Sequence, residues 1–447
     1  MHAAWRRVLL LLPVLTALVA MWYVGRWCVG DTMGAWLPDE GAARLATGLA
    51  PADAQAHFTL ARLAEQSFEP EQLAEAVNEY EQATALSPND YRLWFQLGKA
   101  RGLAGDDAGA ERALRQALEL APNYPEPRWY LGNLLLRAGR TTEAFAEFRR
   151  ACAEDPKTFR PQVFDLAWHI FNANVQQVLA GVGDTTETRA GLAEYLLKQQ
   201  RLDDALRLWA SLNAAQKQAQ HATGEQIVQA LLAAKRYHTA LDIERDLLSQ
   251  QQSDAPAADG LLNGSFELPV GPAGKTWYDW QVTQVAQAQI NLDERQRHGG
   301  ARSLRIVFNA ASPLDFHHVA QLVVVAPRTR YHLSWFVRTE DLQSASTLVT
   351  QVLDAGDQTH VLAASAPVAA GSSDWQAAAL DFTTGAQTDA IIVRLTRAPC
   401  VQTLCPLFGK VWYDDFNLQR LDQRAAGEHG NDHAARANSA DAHAPAR

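Results

Sequence analysis

Four cysteines in 447 residues are too few for a disulfide framework, so this chain has to hold its shape with apolar cores. A glycine-rich phosphate loop and a paired-cysteine zinc pattern are both missing. So is any excess of positive charge. Lys and Arg number 40 against 50 Asp and Glu, and the net charge of −10 sets aside nucleic acid as the main partner. Poised acid–base pairs are missing too. Asp414 and Asp415 are neighbours on an expected strand, which sends their side chains to opposite faces. His317 and His318 fail as a metal pair for the same reason. His429, His433 and His443 lie in a low-complexity tail, 422–447, expected to be disordered. The chain is therefore expected to bind rather than to catalyse.

What is present begins with one long apolar run. Arg6 and Arg7 precede it, Val8 to Val24 form it, and Trp22, Tyr23 and Arg26 close it. Its length lies at the short edge of a membrane span, and no clean small-x-small cleavage site follows. Residues 1–30 are expected to be an uncleaved signal anchor with a cytoplasmic N-terminus, a cleaved signal being the alternative. Either way, everything after Val29 is expected outside the cytoplasmic membrane, in a bacterial periplasm. There Cys400 and Cys405 are able to bridge, although a five-residue step does not dictate the geometry. Cys152 reads as buried packing.

The middle of the chain repeats. Pro88, Pro122 and Pro156 stand at equal intervals of 34 residues. Ala76, Ala110 and Ala144 recur in step, as do Ala83, Ala117 and Ala151, and Leu63, Leu97 and Leu131. Ala64, Gly98 and Gly132 follow the leucines, and Tyr80, Leu114 and Phe148 share a large-residue slot. Weaker units follow around Ala193, Ala205 and Trp209, then Val228 and Ala240, with an irregular helical pair between Phe159 and Ala180. This spacing resembles the tetratricopeptide repeat, in which paired helices stack into a solenoid. The resemblance implies an α-solenoid over 50–250 whose first helices line a groove for a protein partner. By register those positions are Phe95, Lys99, Trp129, Asn133 and Arg137, with Glu65 in the first unit. The cations and Asn133 suit a partner's carboxylate, and Phe95 and Trp129 suit an apolar side chain. Trp129 has the alternative of packing only against neighbouring repeats.

After a polar linker at 251–260 the period changes from helical to alternating. Short strands are expected at 303–308, 319–326, 331–339, 389–397 and 410–419, which indicates an antiparallel sandwich over 261–421. Asn263-Gly264-Ser265-Phe266-Glu267, the run from Gly299 to Ile306, Tyr331 to Thr339 and Trp412 to Phe416 resemble the galactose-binding-like jelly rolls, carbohydrate-binding modules in particular. That resemblance implies polysaccharide binding. It also implies a possible structural calcium held by Glu267, Asp414 and Asp415, with ordinary capping carboxylates as the alternative. On 331–339, alternation puts Tyr331, Leu333, Trp335 and Val337 in the core and His332, Ser334, Phe336 and Arg338 on the other face. The same parity places His317, Gln321 and Arg305 near that face. Trp277 and Tyr278 offer rim stacking rings, unless Trp280 plugs the sandwich and leaves only one of them exposed. Trp375 and Trp412 read as core.

The expected fold class is multidomain α + β: an N-terminal transmembrane helix, a tetratricopeptide α-solenoid and an antiparallel jelly roll. The expected function is a non-catalytic, membrane-anchored periplasmic scaffold that joins a protein partner to a polysaccharide, in exopolysaccharide assembly or export. The alternatives are a protein–protein adaptor without sugar affinity, or the accessory subunit of a glycan-processing complex.

Overall fold

The computed structural model describes residues 2–36, 39–67, 69–248, 256–270, 276–311, 315–400 and 405–421. The expected tail and residues 251–255 of the expected linker lie outside the described residues. The chain divides into two compact units, Met1–Tyr195 and Leu196–Arg447.

The first unit is helical. It opens with α1 (His2–Trp36), α2 (Glu40–Leu49), α3 (Ala54–Glu65) and α4 (Pro70–Leu86). There follow α5 (Tyr91–Leu103), α6 (Asp107–Leu120), α7 (Pro125–Arg137) and α8 (Thr141–Glu154). It closes with α9 (Pro156–Ile170), α10 (Val175–Val182) and most of α11 (Thr186–Lys198). Asp53, Asp90, Asp106 and Asp155 start four of these helices, each accepting a backbone N–H two or three residues on. Such a cap contributes about 1 kcal/mol. Pro88 and Pro122 stand just past the ends of α4 and α6, while Pro156 opens α9. Each hairpin closes by fitting a large residue onto a small one. A Cβ at Gly98 would sit 2.7 Å from Leu114 Cγ, and one at Gly132 would sit 2.4 Å from Phe148 Cε1. The repeated alanines, Ala76, Ala110, Ala144, Ala83, Ala117 and Ala151, are all buried.

The expected anchor finds no support in the fold. No helix among the described residues is long and apolar enough to cross a membrane. Within α1, Arg26 donates from Nε to Leu49 O at 2.7 Å and from Nη2 to Gly48 O. The helix runs on past this tether to Trp36 and packs on α2 and α3. The apolar residues before the tether, Val14 to Val24, are largely exposed.

The second unit opens with α12 (Leu202–Ala210), α13 (Ala214–Ala219), α14 (His221–Ala233) and α15 (Tyr237–Leu247), packed around Trp209, Ile227, Leu231 and Leu247. Ten strands follow. They are β1 (Gln281–Val282), β2 (Ala288–Asp293), β3 (Ser303–Ala310), β4 (Val319–Val324) and β5 (Arg330–Gln343), then β6 (Leu348–Asp354), β7 (Val361–Ala364), β8 (Gly371–Thr383), β9 (Ala390–Arg397) and β10 (Leu407–Arg420). All pairings are antiparallel, in a first sheet ordered β1-β4-β9-β6-β7 and a second ordered β2-β3-β10-β5-β8. Between the sheets lie Phe266, Trp280, Tyr331, Leu333, Trp335, Tyr413 and Phe416. Trp280 is fully buried against Phe266 and Phe416, the plugging role offered for it. Cys400 and Cys405 are bonded, with 6.5 Å between their Cα atoms.

Helices and sandwich in this unit are not merely strung together. Tyr237 and Leu241 of α15 pack with Tyr278, Val324, Ala355 and Ala390 on the outward side of the first sheet. Tyr237 Oη donates to Ala355 O at 2.8 Å, and Lys235 Nζ donates to Gly356 O at 2.6 Å. The outward face of the first sheet is therefore covered at this end.

Candidate functional sites

In the first unit a cleft of about 590 Å³ opens on one side of the hairpins. Gly98, Lys99, Gly102 and Leu103 of α5 form one wall, and Trp129, Tyr130, Asn133, Leu134 and Arg137 of α7 form the other. Ala110 and Leu114 lie between, and Glu65 stands at one end. Four of the five expected groove residues are thus brought together. Phe95 stands beside the cleft, its ring edge-to-face with Tyr130 at 5.3 Å. Trp129 does both things offered for it: it lines the cleft and packs on Phe148 and Phe159 at 5.1 and 5.7 Å.

Electrostatically the cleft differs from the surface around it. Arg44, Arg92, Arg101, Arg115, Arg128 and Arg140 each hold a carboxylate oxygen at 2.6–2.8 Å. Lys99 instead donates to Gln96 Oε1 at 3.1 Å, with its ammonium 5.5 Å from the Tyr130 ring centre. Arg137 reaches Asp107 only at 3.9 Å. Asn133 gives its Nδ2 to Trp129 O at 2.8 Å, and Glu65 accepts Tyr80 Oη at 3.0 Å. Two loosely held cations therefore flank an apolar pocket. Tyr130 and Gly102 were missed from the sequence. The spacing of Tyr130, Asn133 and Arg137 on one helical face was a signal that could have found the first.

In the second unit the expected carbohydrate residues do not gather. His332, Phe336 and Arg338 do share the outer face of the second sheet, on β5. Gln321 sits on β4 of the first sheet, fully buried, with Nε2 donating to Leu262 O at 2.7 Å. Val319 and Val323 flank it on the core side, so the parity chosen for this strand was one residue off. His317 lies in the irregular segment just before β4, beside Asp315. Tyr278 is buried under α15, where its Oη donates to Tyr237 O. Trp277 is exposed, but it directs its backbone N–H toward Glu244 on the same helix.

Phe336 is not a bare platform either. The imidazole of His298 stacks on it at 3.5 Å, and the Trp375 ring lies 5.8 Å from that imidazole. Trp375, expected in the core, is half-buried on this outer face of β8. Trp412 is buried, as expected, but on the outer side of the sheet. Its Nε1 donates to Asp293 Oδ2 at 3.0 Å, and Arg338 lies 6.0 Å over its ring. Burial alone would raise Asp293. The Trp412 donor, two backbone amides and the Arg305 charge outweigh it and hold this carboxyl below the usual range.

The expected calcium carboxylates tether the loop that carries His298. Asp414 Oδ2 accepts the amides of His298 and Gly299 at 2.9 and 3.1 Å. Glu267 accepts the amides of Ala301 and Arg302 at 2.8 and 3.3 Å, and Asp415 meets His298 Nδ1 at 2.7 Å. Adjacent Asp414 and Asp415 reach the same loop because β10 has an irregular register there, with Asp415 at φ 53°. Burial raises the Asp414 carboxyl, which these amides partly offset. N–H dipoles already face these oxygens, which is the wrong polarity for a cation cage. Among the described residues no group of three or more His, Cys, Asp or Glu is placed to hold a metal.

The model of the tetratricopeptide repeat family matches residues 68–125 and 104–157. These hairpins are tetratricopeptide repeats. Solved structures similar to parts of the chain include the crystal structure of MamA, at 11% identity over 42% of this chain and 89% of that one, with TM-score 0.26. Another is YrrB, described as a TPR protein with an unusual peptide-binding site, at 19% identity over 44% and 81%, with TM-score 0.27. A carbohydrate-binding module of the CBM4 type matches at 13% identity over 36% and 99%, with TM-score 0.28. None of the curated proteins compared matches the chain. The tetratricopeptide solenoid supplies a surface for protein interaction.

Proposed function

We propose that this chain is a non-catalytic binding scaffold. Its tetratricopeptide solenoid takes a segment of a partner protein into the Lys99–Arg137 cleft, and its sandwich presents a glycan-binding face. The observation that carries the first part is the cleft itself: apolar walls of Trp129, Leu103 and Leu134 with two cations lacking a close carboxylate. A segment with an acidic residue beside a large apolar one suits those walls. The Cys400–Cys405 bond supports an oxidising compartment outside the cytoplasm. Assembly or export of an exopolysaccharide is a process that would need both surfaces on one chain.

The test is a phage-displayed random peptide selection on the purified full-length chain and on its Gly102→Leu variant. A Cβ at Gly102 meets only Ala110 Cβ at 3.7 Å and Arg137 Nη2 at 4.0 Å, so a leucine extends into the cleft without striking the backbone. Acidic–apolar peptides enriched on the native chain and lost on the variant are expected. Equal enrichment on both would move the binding site elsewhere. The rival reading, an adaptor whose sandwich meets only protein, draws on the covering of Phe336 by His298 and is separated by the glycan measurement below.

A further inference from the structure

The outer face of the second sheet combines two properties. The first is that its Arg and Lys charges are cancelled locally, and its histidines are each bonded to a carboxylate. Arg305 meets Asp293 at 3.3 Å, Lys410 meets Glu340 at 2.6 Å and His332 meets Asp381 at 2.6 Å. Arg338 is bonded to Asp374, and His298 meets Asp415 at 2.7 Å. Five basic side chains thus each face a carboxylate on a neighbouring strand or loop. The second property is relief. Across β5 and β8, Ser334 lies opposite Ala379 and Phe336 opposite Ala377, so the floor there is built from small side chains. One wall is the His298–Phe336 stack with Trp375 beside it, and the other is the His332–Asp381 pair. Phe336 and His332 are four residues apart on one strand, which separates the walls by roughly 13 Å. Asn417 and Gln419 continue the floor on β10, opposite Ser334 and His332, and both are exposed.

We infer that this trough binds an uncharged polysaccharide, laid across Ser334 and Ala379 with its sugar rings against His298 and Trp375. This rests on the reading of the sandwich as a glycan-binding module and adds the class of glycan. Ring planes suit the C–H faces of sugars, while Ser334, Asn417 and Gln419 offer neutral hydrogen-bonding groups to hydroxyls. A uronate or sulfate chain would need a cation to pair with. Here Arg305, Arg338 and Lys410 would each first have to give up their own carboxylate, at the cost of leaving that carboxylate unpaired.

Affinity electrophoresis of the full-length chain tests this, with xylan, β-glucan, galactan and mannan as neutral probes and polygalacturonate, alginate and dextran sulfate as anionic ones. Retardation by at least one neutral polymer is expected, unchanged between low and high salt, and about tenfold weaker in Trp375→Ala. Ala379→Arg, an exposed substitution that fills the floor and leaves the core untouched, is expected to abolish it. Thermal melting of both variants checks that they fold. Retardation by anionic polymers alone, fading with salt, would overturn the neutral-ligand inference and leave the glycan module standing. Binding to a neutral polymer that survives Ala379→Arg would move the site off this face. Retardation by no polymer would remove the inference and the glycan reading together, in favour of the protein adaptor.

Discussion

Replacing Glu244 with glutamine should stabilise the second unit at pH 8 and do little at pH 5. Glu244 lies on α15, only 6% exposed, at the joint between the helices and the sandwich. Burial first, then the negative charge of Glu225 on α14, push its carboxyl up to about 7, against which the N–H of Trp277 is the opposing influence. A carboxyl raised on folding costs nothing below its unfolded value, and its cost grows as pH climbs from there to about 7. Taken at face value the rise amounts to about 3 kcal/mol above neutrality, and about 2 kcal/mol once solvent screening is allowed for. Glutamine keeps the shape and can still accept the Trp277 N–H, but carries no charge to desolvate. Urea unfolding of the full-length chain at pH 5 and pH 8, followed by tryptophan fluorescence, reads the difference. The native chain should gain about 2 kcal/mol in its second-unit transition on acidification, and Glu244→Gln should be largely independent of pH. A variant destabilised equally at both values would mean that Glu244 acts through its hydrogen bond, and the electrostatic reasoning would fail.

Gly132→Ala drives a methyl to 2.4 Å from Phe148 Cε1, so it should destabilise the solenoid by about 1–3 kcal/mol in thermal melts, whereas Gly102→Leu should not. Mild reduction of Cys400–Cys405 should lower the stability of the sandwich by about 2 kcal/mol, as expected for so short a loop, and the Cys400→Ser/Cys405→Ser double variant should match the reduced chain. Calcium should not shift the melting temperature beyond its general ionic effect, since amides occupy Glu267 and Asp414; a rise of several degrees, reversed by chelator, would restore the calcium reading. Tyr237→Phe removes the donor to Ala355 O and should cost about 1 kcal/mol, with lost protection from hydrogen exchange around Ala355 as the local signature.

Much of this architecture was legible in the sequence because it depends on short-range rules. Helical repeats declare themselves: Gly98 with Leu114 and Gly132 with Phe148 are large-on-small pairs within one hairpin, recurring at a fixed step. The alternation of Tyr331, Leu333, Trp335 and Val337 assigned the two faces of β5 without reference to any other strand. The same locality carried Lys99, Trp129, Asn133 and Arg137 to one cleft, since they occupy matching positions of matching helices.

What only the tertiary structure decided involves segments far apart in the chain. A single irregularity at Asp415 turned both carboxylates of β10 toward a loop more than a hundred residues earlier, and with them His298 onto Phe336. A one-residue error of parity hid Gln321 in the core, because alternation gives a strand two faces and says nothing of which one turns inward. Trp375 and Trp412 are apolar by composition, yet they lie on the outer face because arginine, histidine and loop cover them there. The joint of Tyr237 with Tyr278 and Ala355 likewise depends on where a helix comes to rest on a sheet. Local periodicity determined the elements and their apolar faces; the long-range contacts that cover those faces, and so decide what remains open for a ligand, exist only once the chain has folded.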